Sequence, residues 1–141
     1  MTATAAGVPS GTYTITVNGS SGTLSHSIPL TIAVTPGGSF ALNASPSSLS
    51  VSKSSNRAAI AAITANGVQG FSGSVRLTVE DVPRGVTAAI NTSTVTPGGP
   101  AAQLMVGAGR RALAGSYSMI IVGASNGVPA FRLTVQLTIT N

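Results

Sequence analysis

The sequence contains no cysteine and no tryptophan, and only 6% of its residues are charged, against about 25% in an ordinary soluble domain. Without cysteine, neither a disulfide nor a thiolate metal site can form, so packing alone must stabilise the fold. Hydrophobic residues make up 43% of the chain, which is enough for a core. Solubility must then rest on Ser, Thr, Asn and Gly, a composition that favours short strands joined by Gly-rich turns.

Groups that could run a reaction are equally scarce, because the chain has one His, one Asp, one Glu and one Lys. His26 is far in sequence from Glu80 and Asp81, so no Ser-His-Asp arrangement is predicted. Two adjacent acids on a strand point to opposite faces and supply too few oxygen ligands for calcium. We therefore expect no catalytic, cofactor-binding or metal-binding residue and no enzyme activity. A calcium site completed by a neighbouring module is the alternative left open.

The seven Lys and Arg residues outnumber the two acids, which gives a formal net charge of +5. Such a balance invites a nucleic-acid partner. The cations are scattered along the sequence, however, with one adjacent pair, Arg110-Arg111, and no interleaved aromatic residue to stack on bases. We expect ordinary solvated charge and no nucleic-acid binding.

Neither a membrane span nor an export signal is recognisable. Residues 112–131 are uncharged and long enough to span a membrane, but Ser116, Asn126, Gly127 and Pro129 interrupt them. No membrane insertion is expected. The first residues lack the basic and apolar segments of a signal peptide, so an export signal is expected elsewhere in a longer protein.

The chain repeats itself. Residues 10–17, SGTYTITV, return as residues 114–121, AGSYSMII, at an offset of 104. Four apolar positions further on return at an offset of 105, because Ile28, Leu30, Ile32 and Val34 match Leu133, Val135, Leu137 and Ile139. We infer one extra residue in the turn of the second copy. Residues 1–35 are predicted to be the C-terminal hairpin of a preceding repeat, residues 36–38 a linker, and residues 39–141 a complete domain.

Alternating apolar and polar residues predict strands throughout residues 39–141. The predicted inward positions are Phe40, Leu42, Leu49, Val51, Val75, Leu77, Val79, Leu104, Val106, Phe131, Leu133, Val135, Leu137 and Ile139. Pro46 breaks the first strand, as expected of an edge strand that switches between sheets. Residues 58–65 are predicted as a strand from their context, although their alanines favour a helix.

Turn residues separate these strands at regular intervals. The predicted turns are Asn18-Gly19, Asn66-Gly67, Pro83-Arg84-Gly85, Pro97-Gly98-Gly99-Pro100 and Asn126-Gly127. Seven or so short strands punctuated in this way predict an all-β, immunoglobulin-like, two-sheet antiparallel β-sandwich, preceded by a two-stranded fragment of a second copy.

Four segments of the sequence are similar to those of a known class of protein repeat. They are FALNASPSSLSV at residues 40–51, GFSGSV at 70–75, VPRGV at 82–86 and GSY at 115–117. They resemble the immunoglobulin-like or fibronectin-III-like tandem repeats of large secreted or cell-surface bacterial proteins. The resemblance covers residues 39–141 whole and residues 6–34 as a fragment. It implies spacers, stalks or adhesive modules, sometimes attached to secreted proteases or glycan-active enzymes. The sequence departs from the pattern at residues 58–65, where alanines replace alternating Thr and Val.

Tyr13 and Tyr117 each begin a penultimate strand, and we expect their hydroxyls to donate hydrogen bonds to nearby backbone carbonyls and fix a corner of the sandwich.

The predicted function is a non-catalytic structural or adhesive module of an extracellular bacterial stalk or adhesin. The alternatives are a filament subunit that assembles by strand complementation and an ancillary domain of a secreted hydrolase. The expected location is extracellular or at the cell surface. The expected partners are neighbouring repeats, a second copy through residues 1–35, or an unidentified protein or glycan.

Two sets of apolar residues are candidate interfaces. Ile120 and Val122 lie on the strand face opposite Tyr117, and the matching positions in the partial copy, Thr16 and Asn18, are polar. We interpret this pair as a contact site, with a cover of local loop as the alternative. The second set was built to face a sheet that residues 1–35 do not include: Tyr13, Ile15, Val17, Ile28, Leu30, Ile32 and Val34. A lone hairpin is marginal in water, so packing on the complete domain, disorder and pairing with a second copy are all open, and we expect pairing with a second copy.

Overall fold

The structure, a computed structural model, describes residues 11–34, 38–55 and 57–141. It is an all-β protein with antiparallel sheets and no helix among these residues, and so they include no helix that could cross a membrane. The chain divides into two compact units, Met1–Gly37 and Gly38–Asn141.

The described part of the first unit is one antiparallel hairpin. Strand β1, Gly11–Ser21, pairs with strand β2, Leu24–Val34, and Ser21 lies opposite Leu24 across a two-residue turn. The turn predicted at Asn18-Gly19 was wrong, because both residues belong to the ladder. The turn falls at residues 22–23, where Gly22 supplies a φ of 59°, the left-handed conformation that tight hairpin turns require. This position also keeps the apolar residues of both strands on one face.

The second unit contains nine strands. They are β3 (Ser39–Ser45), β4 (Ser48–Ser52), β5 (Ala59–Val68), β6 (Val75–Glu80), β7 (Val86–Ile90), β8 (Thr94–Val95), β9 (Ala102–Ala108), β10 (Gly115–Ser125) and β11 (Val128–Thr140). Five of them form one sheet in the order β4-β11-β10-β6-β8, and four form a second in the order β3-β5-β9-β7. All neighbours are antiparallel except β4, which runs parallel to β11.

The chain changes sheets at Pro46. Strand β3 is the edge of the four-stranded sheet, and β4 is the edge of the five-stranded sheet. Proline has no N–H to donate to a ladder, so it fits where the chain leaves one sheet for the other. The predicted switch of an edge strand at this position is confirmed.

The two sheets share one hydrophobic core, as in a β-sandwich. Every inward position predicted from alternation is buried or packed against this core. The strand predicted at residues 58–65 is confirmed as β5, although it runs from Ala59 to Val68; Ala61 and Ile63 are fully buried while Ile60 is 52% exposed. Ala61 and Ala65 belong to the buried core, and tertiary packing overrides the preference of alanine for a helix.

Three of the predicted turns are confirmed, at residues 83–85, 97–100 and 126–127. The turn predicted at Asn66-Gly67 was wrong, because β5 continues to Val68. The chain reverses instead at Gln69 and Gly70, which have φ angles of 53° and 78°. A Cβ on Gly67 would lie 2.1 Å from the carbonyl oxygen of Phe71, so this glycine serves a close backbone approach and not a turn.

The β1–β2 and β10–β11 hairpins have matching registers. Tyr13 pairs with Ile32 as Tyr117 pairs with Leu137, and each neighbouring pair follows at the same offsets. The extra residue of the second copy is not in the turn, which has two residues in both hairpins. It lies in a β-bulge, where the register of β10 with β11 shifts between Gly123 and Ser125.

Gly123 lets the two sheets pack. An added Cβ would lie 2.8–2.9 Å from side-chain atoms of Phe40, Leu42 and Val75. The matching residue in the first hairpin is Gly19, where a Cβ would meet nothing within 4 Å. Among the described residues, the first hairpin therefore has the matching glycine without the close contacts that require it in the second unit.

We predict that Gly123→Ala destabilises the second unit by about 1–3 kcal/mol, the usual effect of overpacking a core. Gly19→Ala is the matched control and should leave thermal unfolding unchanged, because its Cβ has free space. Circular dichroism melts of the full chain measure both. Equal melting temperatures for the two variants would contradict the packing role assigned to Gly123.

Candidate functional site

Ile120 and Val122 lie on the outer face of the five-stranded sheet. Their neighbours on β10, Met119 and Ile121, are fully buried on the inner face. Both candidates are half-buried, so the strand faces were assigned correctly from the sequence.

An ion pair crosses β10 above these two residues. Glu80 on β6 lies opposite Ile120, and Arg132 on β11 lies opposite Val122. The Arg132 Nη2 donates to Glu80 Oε2, and β10 lies between the two strands. The pair therefore spans the strand that carries both apolar side chains.

The ion pair contributes little to stability, because its side chains are 60% and 46% exposed and such pairs are worth about 0–1 kcal/mol. Its position gives it another effect. The stem of an arginine can lie along apolar surface while its charge stays in water. The ion pair places two charged side chains from neighbouring strands across the face that carries Ile120 and Val122.

The second predicted set forms one apolar face of the β1–β2 hairpin. Tyr13, Ile15 and Val17 are 38–43% exposed, and on β2 Ile28 is 63% and Leu30 44% exposed. Ile32 and Val34 are half-buried. The register places Tyr13 opposite Ile32, Ile15 opposite Leu30 and Val17 opposite Ile28. The hairpin thus brings the predicted residues together on one face.

The same face in the second unit forms the centre of its core. At the positions that match Ile15 and Val17, Met119 and Ile121 are fully buried. Residues of this size stabilise a fold by about 1.5–3 kcal/mol each when they are buried. The described hairpin lacks this stabilisation.

A third apolar surface was missed from the sequence. Ile60 and Met105 are paired across β5 and β9 on the outer face of the four-stranded sheet, and they are 52% and 38% exposed. Ala89 on β7 lies opposite Met105 and is also exposed. None of the four strands contains a charged residue. The signal in the sequence is the position of Ile60, which falls on the opposite strand face from Ile63.

The few reactive groups are not assembled into a site. His26 is exposed in β2 opposite Gly19. Glu80 is paired with Arg132, and Asp81 follows β6 in the left-handed conformation, with a φ of 56°. Within residues 11–34, 38–55 and 57–141, no three His, Asp or Glu residues lie together as a metal site would require.

Tyr117 fixes a corner of the second unit as predicted. Its hydroxyl donates to the carbonyl oxygen of Leu113 at 3.1 Å. The matching carbonyl for Tyr13 would belong to Pro9, which lies outside the described residues.

No protein-family model, curated protein or solved structure matches the chain significantly.

The interface prediction for Ile120 and Val122 is tested by installing the polar residues of the first copy, Ile120→Thr with Val122→Asn. If this face binds a partner or a second copy, the double variant should weaken that association by about tenfold or more, equivalent to about 1.4 kcal/mol. Sedimentation equilibrium of the full chain measures self-association. The matched control is Ser118→Thr, on the same strand face. If the double variant associates as strongly as the original chain, Ile120 and Val122 do not form an interface and are only covered within their own unit.

Proposed function

We propose that this chain is a non-catalytic structural or adhesive module from a tandem array of immunoglobulin-like domains on a bacterial surface or in a secreted protein. Residues 39–141 are the complete domain of the array. Residues 1–35 are the last two strands of the copy before it. The observation that carries this proposal is the matching register of the two hairpins.

The glycines and tyrosines of the hairpins support the same proposal. Gly19 matches Gly123, whose missing Cβ makes room for the opposite sheet. Gly11 matches Gly115, and each lies beside the ring of its own tyrosine, Tyr13 or Tyr117. An isolated hairpin has no need of a glycine at position 19, but a hairpin that completes a sandwich does. The first hairpin is therefore best explained as part of a larger domain.

The path of the chain through the second unit also suits a serial array. Strand β3 leads into β4 in the same direction, and β11 runs parallel to β4, with Thr140 opposite Ser52. The chain therefore enters near Ser39 at one end of the unit and leaves near Thr140 at the other. Domains with this path can be joined in series without the chain turning back. Copies at a spacing of about 104 residues on both sides in the parent reading frame would favour a stalk, whereas an adjacent catalytic domain would favour an ancillary role in a secreted hydrolase.

A direct test adds the missing strands. Residues 38–114 are placed before residue 11, so that a second set of β3 to β9 precedes the first hairpin. We predict that Gly19→Ala, neutral in the original chain, then destabilises the added domain by about 1–3 kcal/mol, as Gly123→Ala does in the complete one. Thermal unfolding and amide hydrogen exchange of the hairpin measure the effect. A hairpin that stays unprotected, with Gly19→Ala still neutral, would refute the proposed repeat.

Strand complementation between chains is the second candidate function, favoured by the exposed apolar face of the first hairpin. A filament subunit would cover this face with a neighbouring chain. The face consists of cross-strand pairs, which allows a matched comparison within the same two strands. Ile15 with Leu30 lies on the apolar face, and Thr14 with Thr31 lies on the polar face.

We predict that the full chain self-associates through this face. Ile15→Asn with Leu30→Asn should shift sedimentation toward the monomer, because buried apolar contact drives such association. Thr14→Asn with Thr31→Asn should leave it unchanged. A chain starting at Ser39 should be monomeric. If the full chain is already monomeric and its hairpin is sensitive to protease, association through residues 1–35 is wrong.

A further inference from the structure

Three loops meet at one end of the second unit: residues 53–55 with 57–58, residues 81–85 and residues 109–114. The Lys53 N–H donates to the Thr140 carbonyl at 3.1 Å, which places the first loop beside the end of β11. The Gly109 N–H donates to the Gly85 carbonyl at 2.8 Å, which joins the other two loops. Strands β5, β7 and β10 all begin at this end.

These loops gather most of the charge of the chain. Their five basic residues, out of seven in the sequence, are Lys53, Arg57, Arg84, Arg110 and Arg111. Asp81 is their one acid, so five minus one leaves +4 of the formal +5. In the part of the chain that the structure describes, the one ion pair is that of Arg132 with Glu80. The loop cations thus have no carboxylate partner among these residues.

A cleft runs between the first and third loops. One part is lined by Lys53, Ser54 and Arg110, and it continues along Ser55, Ala108 and Gly109. The far part reaches Arg57, Gly85, Thr87 and Gly107. Cations therefore stand at both ends of a concave surface, and small hydroxyl and glycine residues line the space between them.

Arg110 and Arg111 are exposed and lie outside the hydrophobic core. At the offset of 104, Arg110 and Arg111 match Ala6 and Gly7 of the first copy. The sequences around Tyr13 and Tyr117 are otherwise alike. Because neither arginine packs in the core, neither is required for the packing of this unit, and both are accessible to a ligand.

We propose that this cleft binds an acidic polysaccharide, with Lys53, Arg57 and Arg110 pairing with its carboxylate, sulfate or phosphate groups. Guanidinium and ammonium donors form strong, charge-assisted hydrogen bonds with such groups. The proposal relies on the proposed function only for an extracellular location, where such polymers occur.

Other anionic partners fit the surface less well. Nucleic acid is bound with aromatic stacking, but Phe71 and Phe131 pack on Phe40 elsewhere in the unit. A lipid surface is flat, whereas the cations line a concave cleft; the exposed apolar residues of these loops, Val82 and Leu113, are not among the residues that line it. A second copy has too little negative charge, because the chain contains two acids.

The test measures binding of the purified full chain to alginate and to dextran sulfate, with neutral dextran as the control for charge. We expect binding to at least one of the acidic polymers, none to dextran, and weakening as NaCl rises from 50 to 200 mM, since released counterions drive such contacts. Lys53→Gln with Arg110→Gln should reduce affinity by about tenfold or more. The matched control is Arg84→Gln with Arg111→Gln, which removes the same charge from the same end without altering the lining of the cleft, and it should change affinity by less than about threefold.

Equal losses in the two double variants would overturn the proposal, because binding would then follow net charge and not the cleft. Absence of binding to both acidic polymers would also overturn it. Single-stranded DNA and vesicles of phosphatidylglycerol with phosphatidylcholine are tested in parallel, and tighter binding to either would assign the surface to nucleic acid or to a membrane instead. Thermal melts confirm that each variant is folded. None of these results depends on whether the first hairpin is part of a repeat. A negative result would therefore refute the polysaccharide site without testing the proposed tandem array.

Discussion

The inner face of the β10–β11 hairpin is the contact on which the second unit depends. Met119, Ile121, Val135 and Leu137 are fully buried there, against Ile63, Leu104 and Val106 of the opposite sheet. The chain has no cysteine, so no disulfide ties the sheets together and this burial must hold them. Gly123 belongs to the same contact, because a side chain at that position would separate the layers.

The same requirement explains the first hairpin. Its register and its glycine at position 19 reproduce those of β10–β11, yet its apolar residues remain largely exposed. A two-stranded hairpin with an exposed apolar face is only marginally stable in water by itself. Both proposed functions, the tandem array and strand complementation, are ways to supply the missing sheet. They differ in whether that sheet comes from the same polypeptide or from another.

The distribution of charge separates the parts of the second unit by role. The four-stranded sheet has no charged residue, and the outer face of the five-stranded sheet carries the ion pair of Glu80 with Arg132 over Ile120 and Val122. Most of the remaining cations lie in three loops at one end. The five basic side chains of these loops lie outside the core, to which the loops contribute Ala112, and exposed loop positions tolerate such changes. Basic residues in these loops can therefore bind a partner without disturbing the packing of the two sheets.

Sequence by itself determined the class of fold and most inward positions, because side chains alternate across a strand and the alternation is visible in residues such as Val75 and Leu77. It also determined the switch at Pro46, since the missing N–H excludes an internal position. It misplaced the turns at Asn18-Gly19 and Asn66-Gly67, because Asn-Gly is the usual signal of a hairpin turn, whereas both glycines belong to strands and Gly67 serves a close backbone approach. Only the tertiary structure decided that Gly67 lies against the Phe71 backbone, that Arg132 pairs with Glu80 across β10, and that Lys53 and Arg110 share a cleft. The physical reason is that each of these facts joins residues that only the pairing of distant strands and the packing of two sheets bring together.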